Sequence, residues 1–480
     1  MNDSNYVSPA LYVDGEWISE TGLSMPIMNP ATGKQIGTLP LADAKLVERA
    51  LASADRGFAI WSKTPHDERT AIMKRAAGIL RANMDRAVTH LTMEMGKPVA
   101  EARVELENCA VLLEWAPDEA AKIADRVLTE RAGWRDLRVR YEPIGTVAAF
   151  APWNFPASLA TRKVVSALAV GCAVMVRPPE ETPAAFAAVA QALHEAGLPK
   201  GVLTVLYGDP DITTYALIDS PVVKKIAFTG STRVGSMLAE RAGARVKPSV
   251  MELGGHAPVI ICADADIPRA VQMSVASKYR NSGQVCVSPT RFYIDDAVYD
   301  AFTDRFVTGA KSLRLGDGLD PNTPMGPLAH DRRIDAVHGL VTDAVDRGAR
   351  LLCGGYRMNR EGYFYMPTVL ADVPIDARIM SEEPFGPVAV LNRFTNLDDA
   401  LVAANATDFA LGAYGFTGSV DTAEKLARDL DAGMVAINSF VVGVVDSPLG
   451  GRRASGFGSE GGPEGIAAYM IPKFSSLIEV

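Results

Sequence analysis

Cysteine is scarce in this chain, and the few cysteines form no recognisable pattern. The 480 residues contain five, at Cys109, Cys172, Cys262, Cys286 and Cys353. They are odd in number, widely spaced and without a CxxC pair, so neither a disulfide framework nor a zinc knuckle is expected. The six histidines show no HExxH or other metal-ligand spacing, and we therefore predict no metal site.

Long apolar runs and an excess of positive charge are also missing. The longest nearly apolar run, Ala167–Val176, is too short to cross a bilayer. The N-terminus, MNDSNYVSPA, lacks the basic-then-apolar pattern of a secretory signal. The net charge is −9, which argues against a nucleic-acid cleft because such clefts need clustered Lys and Arg. We predict a soluble, cytoplasmic protein that binds neither membranes nor nucleic acid.

The spacing of apolar residues predicts the fold class. Residues 43–115 repeat apolar side chains at intervals of three and four, which predicts successive helices. Further along, short apolar strands alternate with helical stretches; the strands are Gly145–Pro152, Cys172–Val176, Val202–Leu206 and Lys224–Phe228. Continuous apolar strands of this kind indicate a parallel sheet covered by helices on both faces. A second α/β region begins near residue 253.

Local signals mark the ends of several elements. Gly96 and Pro98 form a stop signal for the helix before them. Thr182 is the expected N-cap of a later helix, which has Pro183 at its first position and Gly197 just past its end.

Two strand ends in the first α/β region are candidates for binding a nucleotide. In Phe228–Gly235 a strand ends where a helix begins, so free backbone N–H groups favour an anion, and the Ser231 hydroxyl could add a hydrogen bond. An ordinary capped helix is the alternative. In Arg177–Glu180, the Glu180 carboxylate could accept hydrogen bonds from a ribose diol and would repel a 2′-phosphate. A solvated turn explains that segment equally well.

A single G-x-G-x-x-G match occurs at Gly456, Gly458 and Gly461. It does not lie between a strand and a helix early in a βαβ unit, and no acidic residue follows about twenty positions later after a second strand. We interpret it as a tight turn rather than a phosphate-binding loop.

Cys286 differs from the other cysteines because it lies in a polar, glycine-containing turn, Asn281–Cys286. A thiolate nucleophile needs a base or a positive field to ionise near neutral pH. Glu252 ends an apolar strand before a glycine pair, where partial desolvation would raise its pKa towards the range useful for proton transfer. A salt-bridged strand end is the alternative for Glu252.

Six motifs occur together in this order: Pro152-Trp-Asn-Phe-Pro156, Phe228-Thr-Gly-Ser231, Glu252-Leu-Gly-Gly255, Gly283-Gln-Val-Cys286, Glu383-Pro-Phe-Gly-Pro387 and Pro448-Leu-Gly-Gly451. Their combination closely resembles the NAD(P)-dependent aldehyde dehydrogenase superfamily, over essentially the whole chain. The resemblance implies an α/β fold with a Rossmann-type parallel-sheet cofactor domain, a second α/β catalytic domain and a β oligomerisation arm.

The resemblance also implies a set of catalytic roles. Cys286 would add to the aldehyde carbon, and the alkoxide would be held by the Asn154 side-chain amide and the Cys286 backbone N–H. Hydride transfer to the nicotinamide would leave a thioester, which water hydrolyses with Glu252 as general base. Lys163 matches a lysine that the family places near this proton path.

Cofactor contacts follow from the same resemblance. The implied cofactor-binding residues are Trp153, Arg177, Glu180, Gly230, Ser231, Glu383 and Phe385. Ser231 and Trp153 would flank the pyrophosphate, and Glu383 and Phe385 would hold the nicotinamide half. Members usually have Lys where this chain has Arg177. Glu180 favours NAD as the cofactor, with NADP possible.

The substrate expectation rests on two arginines. Arg162 and Arg280 match arginines with which succinate-semialdehyde dehydrogenases hold the far carboxylate of the substrate. Two guanidinium groups near the nucleophile would favour an anionic tail, unless either one pairs with a protein carboxylate. The third ligand of that subgroup, a serine, is replaced by Gly443 in an apolar loop. A longer or more apolar aldehyde is therefore the alternative substrate.

Two further functions remain as alternatives. A CoA-acylating semialdehyde dehydrogenase is disfavoured by Glu252, because those relatives usually lack this base. A cofactor-independent thiol esterase, or a binding protein with a vestigial site, is disfavoured because Asn154, Glu252, Cys286 and Glu383 are all present.

The resemblance suggests domain limits. Residues 1–123 and 144–251 would bind NAD, 252–465 would form the catalytic domain, and 124–143 with 466–480 would be oligomerisation strands. Within these last segments, 134–142 and 472–480 alternate like exposed strands, which invite pairing between subunits. We expect a homodimer or homotetramer that acts on a small aldehyde.

Overall fold

The computed structural model describes residues 6–129 and 134–478. Parts of three predictions lie outside these residues: positions 1–5 of the N-terminus, and 130–133 and 479–480 of the predicted oligomerisation segments. The strands are β1 (Leu11–Val13), β2 (Glu16–Ile18), β3 (Ser24–Asn29), β4 (Lys34–Pro40), β5 (Arg126–Val127), β6 (Trp134–Pro143), β7 (Thr146–Phe150), β8 (Val174–Arg177), β9 (Leu203–Val205), β10 (Val223–Thr229), β11 (Ser249–Glu252), β12 (Ala257–Ile261), β13 (Pro289–Asp295), β14 (Arg350–Cys353), β15 (Thr368–Ala371), β16 (Val388–Phe394), β17 (Phe409–Ala410), β18 (Gly412–Phe416), β19 (Met434–Ile437), β20 (Arg452–Arg453), β21 (Gly456–Phe457) and β22 (Met470–Ile478).

Helices account for most of the remaining regular structure. They are α1 (Ala44–Trp61), α2 (His66–Ala82), α3 (Met84–Met95), α4 (Val99–Ala120), α5 (Pro156–Val170), α6 (Pro183–Glu195), α7 (Thr214–Asp219), α8 (Thr232–Gly243), α9 (Ile267–Tyr279), α10 (Tyr299–Ser312), α11 (Asp331–Asp346), α12 (Leu397–Asn405), α13 (Val420–Asp429) and α14 (Gly462–Ala467), with 3₁₀ turns at Arg280–Gly283 and Arg378–Met380. The region 43–115 is helical as predicted, and α3 ends at Gly96 in the left-handed conformation.

The first large sheet has the strand order β2-β1-β9-β8-β7-β10-β11-β21. Its central strands, β7 to β11, are parallel, and every residue of β7 is buried. This confirms the α/β class and the parallel cofactor-type sheet. The edges differ from the prediction because β1, β2 and β21 pair antiparallel. Strand β21 comes from the C-terminal part of the chain and ends this sheet beside Glu252.

The second large sheet has the order β14-β15-β16-β13-β12-β18-β19, parallel except for β14. Its apolar core includes aromatic side chains of β13 and α10: Phe302 and Phe306 stack on each other, and the Phe292 ring meets Phe306 edge to face. Aromatic side chains bury large apolar areas, so this cluster fixes α10 against the sheet.

Thr182 occupies the predicted N-cap position of α6, with Pro183 at the first helical position, but the helix end is satisfied differently. Thr182 precedes the helix but makes no side-chain cap bond. The Ala184 N–H at the helix start instead donates to the buried carboxylate of Glu94, from α3, at 3.0 and 3.1 Å. An acceptor 90 positions away in sequence satisfies the helix end as well as a local hydroxyl would.

A smaller sheet with the order β22-β6-β5 contains the two outlying strands predicted from alternation. Several of its apolar side chains are exposed, among them Trp134, Ile471, Phe474, Leu477 and Ile478. Within residues 6–129 and 134–478, no helix combines the length and apolar character that a membrane span requires.

Candidate active site

A cavity of about 390 Å³ lies at the carboxyl ends of β7, β10 and β11, facing the loop before β13. Ligands of parallel α/β sheets commonly bind at this edge. The lining includes predicted residues from four separate segments: Trp153, Asn154, Gly230, Ser231, Cys286, Glu383 and Phe385. The fold therefore brings together side chains that are up to 232 positions apart in the sequence.

The turn that precedes Cys286 has an unusual backbone conformation. Asn281 and Ser282 have positive φ values of 50° and 55°, which few non-glycine residues adopt. The loop then passes very close to Gly255, where a Cβ atom would lie 2.2 Å from the Cys286 carbonyl oxygen. The second glycine of the Glu252–Gly255 motif is thus required by the approach of the nucleophile loop.

The Cys286 thiol is half-buried and unpaired. Burial, together with the nearby carboxylates of Glu252 and Glu383, raises its pKa above the ordinary value. The resting thiol is therefore neutral and needs a base to become a nucleophile. By contrast, Cys109 and Cys172 are completely buried, as expected for packed thiols.

Glu252 ends β11 directly beside the end of β10, where Thr229 is its register partner. The carboxylate is 2% exposed, and Thr229 Oγ1 donates to its Oε2 at 3.3 Å. Burial is the main cause that raises the pKa of Glu252 to about 8, and the charge of Glu460 acts in the same direction. Glu252 is therefore placed to exchange protons near neutral pH.

Lys163 and Glu460 form a buried ion pair next to Thr229. The Lys163 Nζ lies 2.7 Å from Glu460 Oε1 and also contacts Thr229 Oγ1. A chain of polar groups thus runs from Glu252 through Thr229 to Lys163 and Glu460. The sequence analysis did not identify Glu460 as a site residue, although it lies inside the Gly456–Gly461 motif. Lys163 lies on an apolar helix, and a buried lysine needs a carboxylate partner, so its position was the available signal.

Asn154 lies in the turn between β7 and α5 and is 2% exposed. Its Nδ2 donates to the Gln284 carbonyl oxygen at 3.1 Å, which fixes the amide against the nucleophile loop. The second hydrogen of Nδ2 is not used by that bond. Asn154 and Cys286 both line the cavity, so the amide is positioned to donate to an oxygen bound there.

The residues predicted to bind the adenosine end of the cofactor lie together at the end of β8. Arg177 forms an ion pair with Glu180, and its Nη2 also donates to the Gly208 carbonyl oxygen at 2.9 Å. Burial raises the pKa of Glu180, while the charge of Arg177 lowers it. The predicted ribose acceptor is therefore held in place by the arginine that replaces the usual lysine.

The start of α8 provides the other predicted cofactor contacts. Ser231 is the N-cap of this 12-residue helix, and its Oγ accepts from the Val234 N–H at 3.4 Å. Gly230 leaves no room for a side chain, since a Cβ there would lie 2.5 Å from the Phe228 ring. Free N–H groups at a helix start, reached without a side chain in the way, fit the pyrophosphate of a dinucleotide.

Aromatic rings and Glu383 form the opposite wall. The Phe385 and Trp153 rings meet edge to face with centroids 5.4 Å apart. Glu383 Oε1 accepts from the Gly255 N–H at 3.0 Å, and burial raises the pKa of Glu383 to about 7. The flat apolar wall and the adjacent carboxylate fit a nicotinamide ring and its ribose.

Two residues of this wall were missed by sequence reasoning. Arg333 donates through Nη2 to the Pro384 carbonyl oxygen at 2.5 Å, and its buried Nε has no partner among the described residues. The His330 ring stands edge to face with Trp153 at 5.2 Å. His330 directly precedes α11, and Arg333 lies in its first turn. Neither residue belongs to a sequence motif, so nothing in the sequence indicated that they line the cavity.

The predicted substrate arginines lie outside the cavity lining. Arg162 has a buried Nη1 atom that no described residue contacts by a hydrogen bond, and a Cβ at Gly461 would lie 2.3 Å from that atom. Arg280 is exposed beside the ring of Phe155, with 5.5 Å between the guanidinium carbon and the ring centre. Neither arginine forms an ion pair within the described chain.

Gly443 lies in an exposed apolar loop, where a Cβ would meet only Leu449. This loop is connected to the nucleophile: the Phe440 ring packs on Tyr414 at 4.7 Å, and the Tyr414 hydroxyl donates to the Val287 carbonyl oxygen at 2.6 Å. The loop therefore presents an apolar surface with no hydroxyl at position 443, and Phe440 and Tyr414 connect it to the residue after Cys286.

Comparisons with known proteins agree with this arrangement. The model of the aldehyde dehydrogenase family matches residues 17–474. A 4-(hydroxymethyl)benzenesulfonate dehydrogenase of Comamonas testosteroni is 43% identical over 98% of both chains. A succinate-semialdehyde dehydrogenase [NADP(+)] of Escherichia coli K12 is 37% identical, over 99% of this chain and 98% of its own.

A solved structure gives the same result for the fold. The succinate-semialdehyde dehydrogenase of Burkholderia pseudomallei superposes with a TM-score of 0.95 over 98% of both chains, at 38% identity.

Proposed function

Since the chain belongs to the aldehyde dehydrogenase family, whose members use NAD or NADP, we propose that it oxidises an aldehyde carrying an acidic group at its far end. Cys286 is the nucleophile, and the product is the corresponding carboxylic acid. The observation that supports this most is the shared cavity, which is lined by Cys286 and Asn154 together with the predicted cofactor residues Ser231, Glu383 and Phe385.

The chain's own residues carry the covalent and proton-transfer steps. Cys286, deprotonated through Glu252, adds to the carbonyl carbon, and Asn154 Nδ2 together with the Cys286 N–H holds the alkoxide oxygen. The bound nicotinamide supplies the hydride acceptor. The resulting thioester on Cys286 is attacked by water while Glu252 takes the proton of that water, and the acid leaves as the thiolate re-forms.

Proton removal from Glu252 follows the buried polar chain. Thr229 Oγ1 contacts both Glu252 and Glu460, and Lys163 Nζ lies within hydrogen-bond distance of Thr229 and Glu460. A proton taken from water can therefore pass from Glu252 along this buried chain, away from the reacting atoms.

The preferred cofactor is NAD. The family resemblance assigns Glu180 to the adenosine ribose, where its carboxylate would repel a 2′-phosphate. The charge of Arg177 is already neutralised by Glu180, so Arg177 offers little net attraction to the 2′-phosphate of NADP. Adding a phosphate on the 2′-oxygen would require breaking this half-buried ion pair.

The acidic group of the substrate is recognised by Arg162. A buried guanidinium nitrogen without a partner is costly, and a carboxylate or sulfonate oxygen would satisfy it. Arg280, exposed beside Phe155, is a second source of positive charge, and the apolar loop around Gly443 would suit a spacer such as a benzene ring. Similarity to one relative named for an aromatic sulfonate and another named for succinate semialdehyde supports an anionic tail of either chemistry.

A panel of paired aldehydes tests this proposal. NADH formation is followed for succinate semialdehyde against butanal, and for 4-formylbenzenesulfonate against benzaldehyde, with NAD and with NADP, each in the absence and in the presence of CoA. We expect kcat/KM to be about 30-fold or more higher for the acidic member of at least one pair. Equal values within both pairs would favour an apolar substrate, and product formation only with CoA would favour the acylating alternative.

We infer that the protein is a homo-oligomer built through the β22-β6-β5 sheet. Phe474 is 59% exposed and Ile478 is 55% exposed on β22, at the edge of a sheet that neither large core covers. Exposed apolar edge strands tend to pair with another strand. Sedimentation equilibrium of the protein and of a Phe474→Arg variant measures this; a wild-type monomer would refute it.

A further inference from the structure

A fully buried ion pair lies directly behind the oxyanion-binding turn. Lys97 Nζ is 2.6 Å from Glu105 Oε2, and both side chains have no exposed surface. The same Nζ donates to the Asn154 carbonyl oxygen at 2.8 Å. Lys97 therefore contacts the main chain of the residue whose side chain donates into the cavity.

Glu105 holds the other side of the same turn. Its Oε1 accepts from the N–H groups of Ala157 at 2.9 Å and Ser158 at 3.2 Å, which are the free amides at the start of α5. A carboxylate at a helix N-terminus is stabilised by the helix dipole and by the unsatisfied N–H groups. Glu105 thus caps α5 from a different helix, and Lys97 links this cap to Asn154.

The nucleophile loop is attached to the same helix one turn earlier. The Asn281 N–H donates to Glu101 Oε2 at 2.8 Å, and Asn281 Nδ2 donates to the Asn154 carbonyl oxygen at 3.0 Å. Glu101 and Glu105 are four residues apart in α4 and so lie on one face of it. That face contacts both the turn that carries Asn154 and the loop that leads to Cys286.

Burying two charges this completely is expensive, and an apolar pair would often be at least as stable. A buried ion pair that is retained at a site of chemistry can serve to fix one geometry rather than to add stability. We propose that Lys97 and Glu105 form a positioning pair that holds the Asn154 amide at the distance from Cys286 that an oxyanion requires. This inference rests on the proposed role of Asn154.

The first variant is Lys97→Met, which removes the ammonium but keeps the apolar length. Loss of one oxyanion donor, or its displacement by about 1 Å, typically costs a factor of about 10². We expect kcat to fall about 10- to 100-fold on that basis. Alkylation of Cys286 by iodoacetamide involves no oxyanion, so its rate should stay within about 3-fold of the unmodified enzyme. An equal fall in both rates would mean general damage to the site and would overturn the proposal.

The second variant, Glu105→Gln, preserves shape and guards against a failure of Lys97→Met to fold. Its matched control is Glu94→Gln, because Glu94 is also buried and also accepts helix-start amides, at α6. Both variants should lose thermal stability. Only Glu105→Gln should lose kcat; an equal loss of kcat in both would overturn the proposal.

A double-mutant cycle separates this inference from the role on which it depends. If Lys97 acts through Asn154, adding Lys97→Met to Asn154→Ala lowers kcat by no more than about 2-fold, because coupled residues are not additive. A full additional 10- to 100-fold loss would refute the positioning role. If Asn154→Ala alone leaves kcat unchanged, the proposed oxyanion role of Asn154 fails, and the positioning pair fails with it for that distinct reason.

Discussion

The carbonyl oxygen of Cys286 lies so close to Gly255 that a Cβ atom at Gly255 would be 2.2 Å from it. This contact joins the end of the first parallel sheet to the nucleophile loop of the second α/β region. A distance below about 3 Å cannot be relieved by a side-chain rotation, because both partners are backbone. The position of the thiol therefore depends on the absence of a single methyl group.

We expect Gly255→Ala to displace the Cys286 loop and to lower kcat at least about 10²-fold, since a shift near 1 Å at reacting atoms has that effect. Steady-state NADH formation measures it. Gly339→Ala is the matched control, because a Cβ at Gly339 meets nothing within 4 Å and lies in the interior of α11. The control should keep full activity; an active Gly255→Ala enzyme would contradict the described contact.

The hydrolytic step should depend on the ionisation of Glu252, whose pKa burial raises to about 8. Below that pH the carboxyl group is mostly protonated and cannot accept a proton from water. Thioester hydrolysis should therefore rise about tenfold per pH unit below pH 8 and level off above it. Single-turnover release of acid, measured between pH 6 and 9.5, follows this step.

Glu252→Gln should remove the rising limb and slow hydrolysis by about 10²- to 10⁴-fold, and the NADH burst before hydrolysis should slow as well, because Glu252 also deprotonates Cys286. Glu119→Gln provides a comparison, since Glu119 is also buried but pairs with Lys122 away from the cavity. A pH profile of Glu252→Gln that matches the unmodified enzyme would assign the limb to another group.

Much of this site could be predicted because each strand end carries its own local signal. The end of β10 and the start of α8 are readable from Phe228–Gly235, and their place at one sheet edge follows from parallel topology. Glu460 could not be predicted in the same way. It lies 297 residues from its partner Lys163, and nothing in periodicity indicates which carboxylate a buried lysine will meet.

The conformation of the nucleophile loop, Asn281–Cys286, could not be predicted from the sequence either. Asn281 and Ser282 adopt positive φ, which tertiary contacts impose: Asn281 is held by Asn154 and Gln284, and the Ser282 hydroxyl donates to the Gly326 carbonyl oxygen at 2.9 Å. The same reason explains the start of α6, where Thr182 is the N-cap residue but the distant Glu94 carboxylate accepts the hydrogen bond from Ala184 N–H. Local residue types predict that a group needs a partner, and the fold decides which partner it has.

Arg162 should determine preference for an acidic tail. Arg162→Met is expected to raise KM for succinate semialdehyde about 30-fold or more and to change KM for butanal about 3-fold at most, because only the former loses a charged partner. Arg162→Lys should recover part of the loss, since it restores the charge without the planar fork. Equal effects of Arg162→Met on both aldehydes would show that the guanidinium group of Arg162 has a structural role and does not bind the acidic group of the substrate.

The Arg177–Glu180 ion pair should set the preference between the two dinucleotides. In Glu180→Gln the carboxylate no longer repels a 2′-phosphate, and Arg177 is released to attract it. We expect kcat/KM for NADP to rise about 10-fold and that for NAD to fall, which corresponds to a shift of about 1–2 kcal/mol on each cofactor. Glu181→Gln is the control: it makes the same change of charge at the next residue, whose carboxylate pairs with Arg332 at 3.3 Å. If both variants changed the ratio equally, overall charge would explain the preference; a shift confined to Glu180→Gln assigns it to the ribose contact.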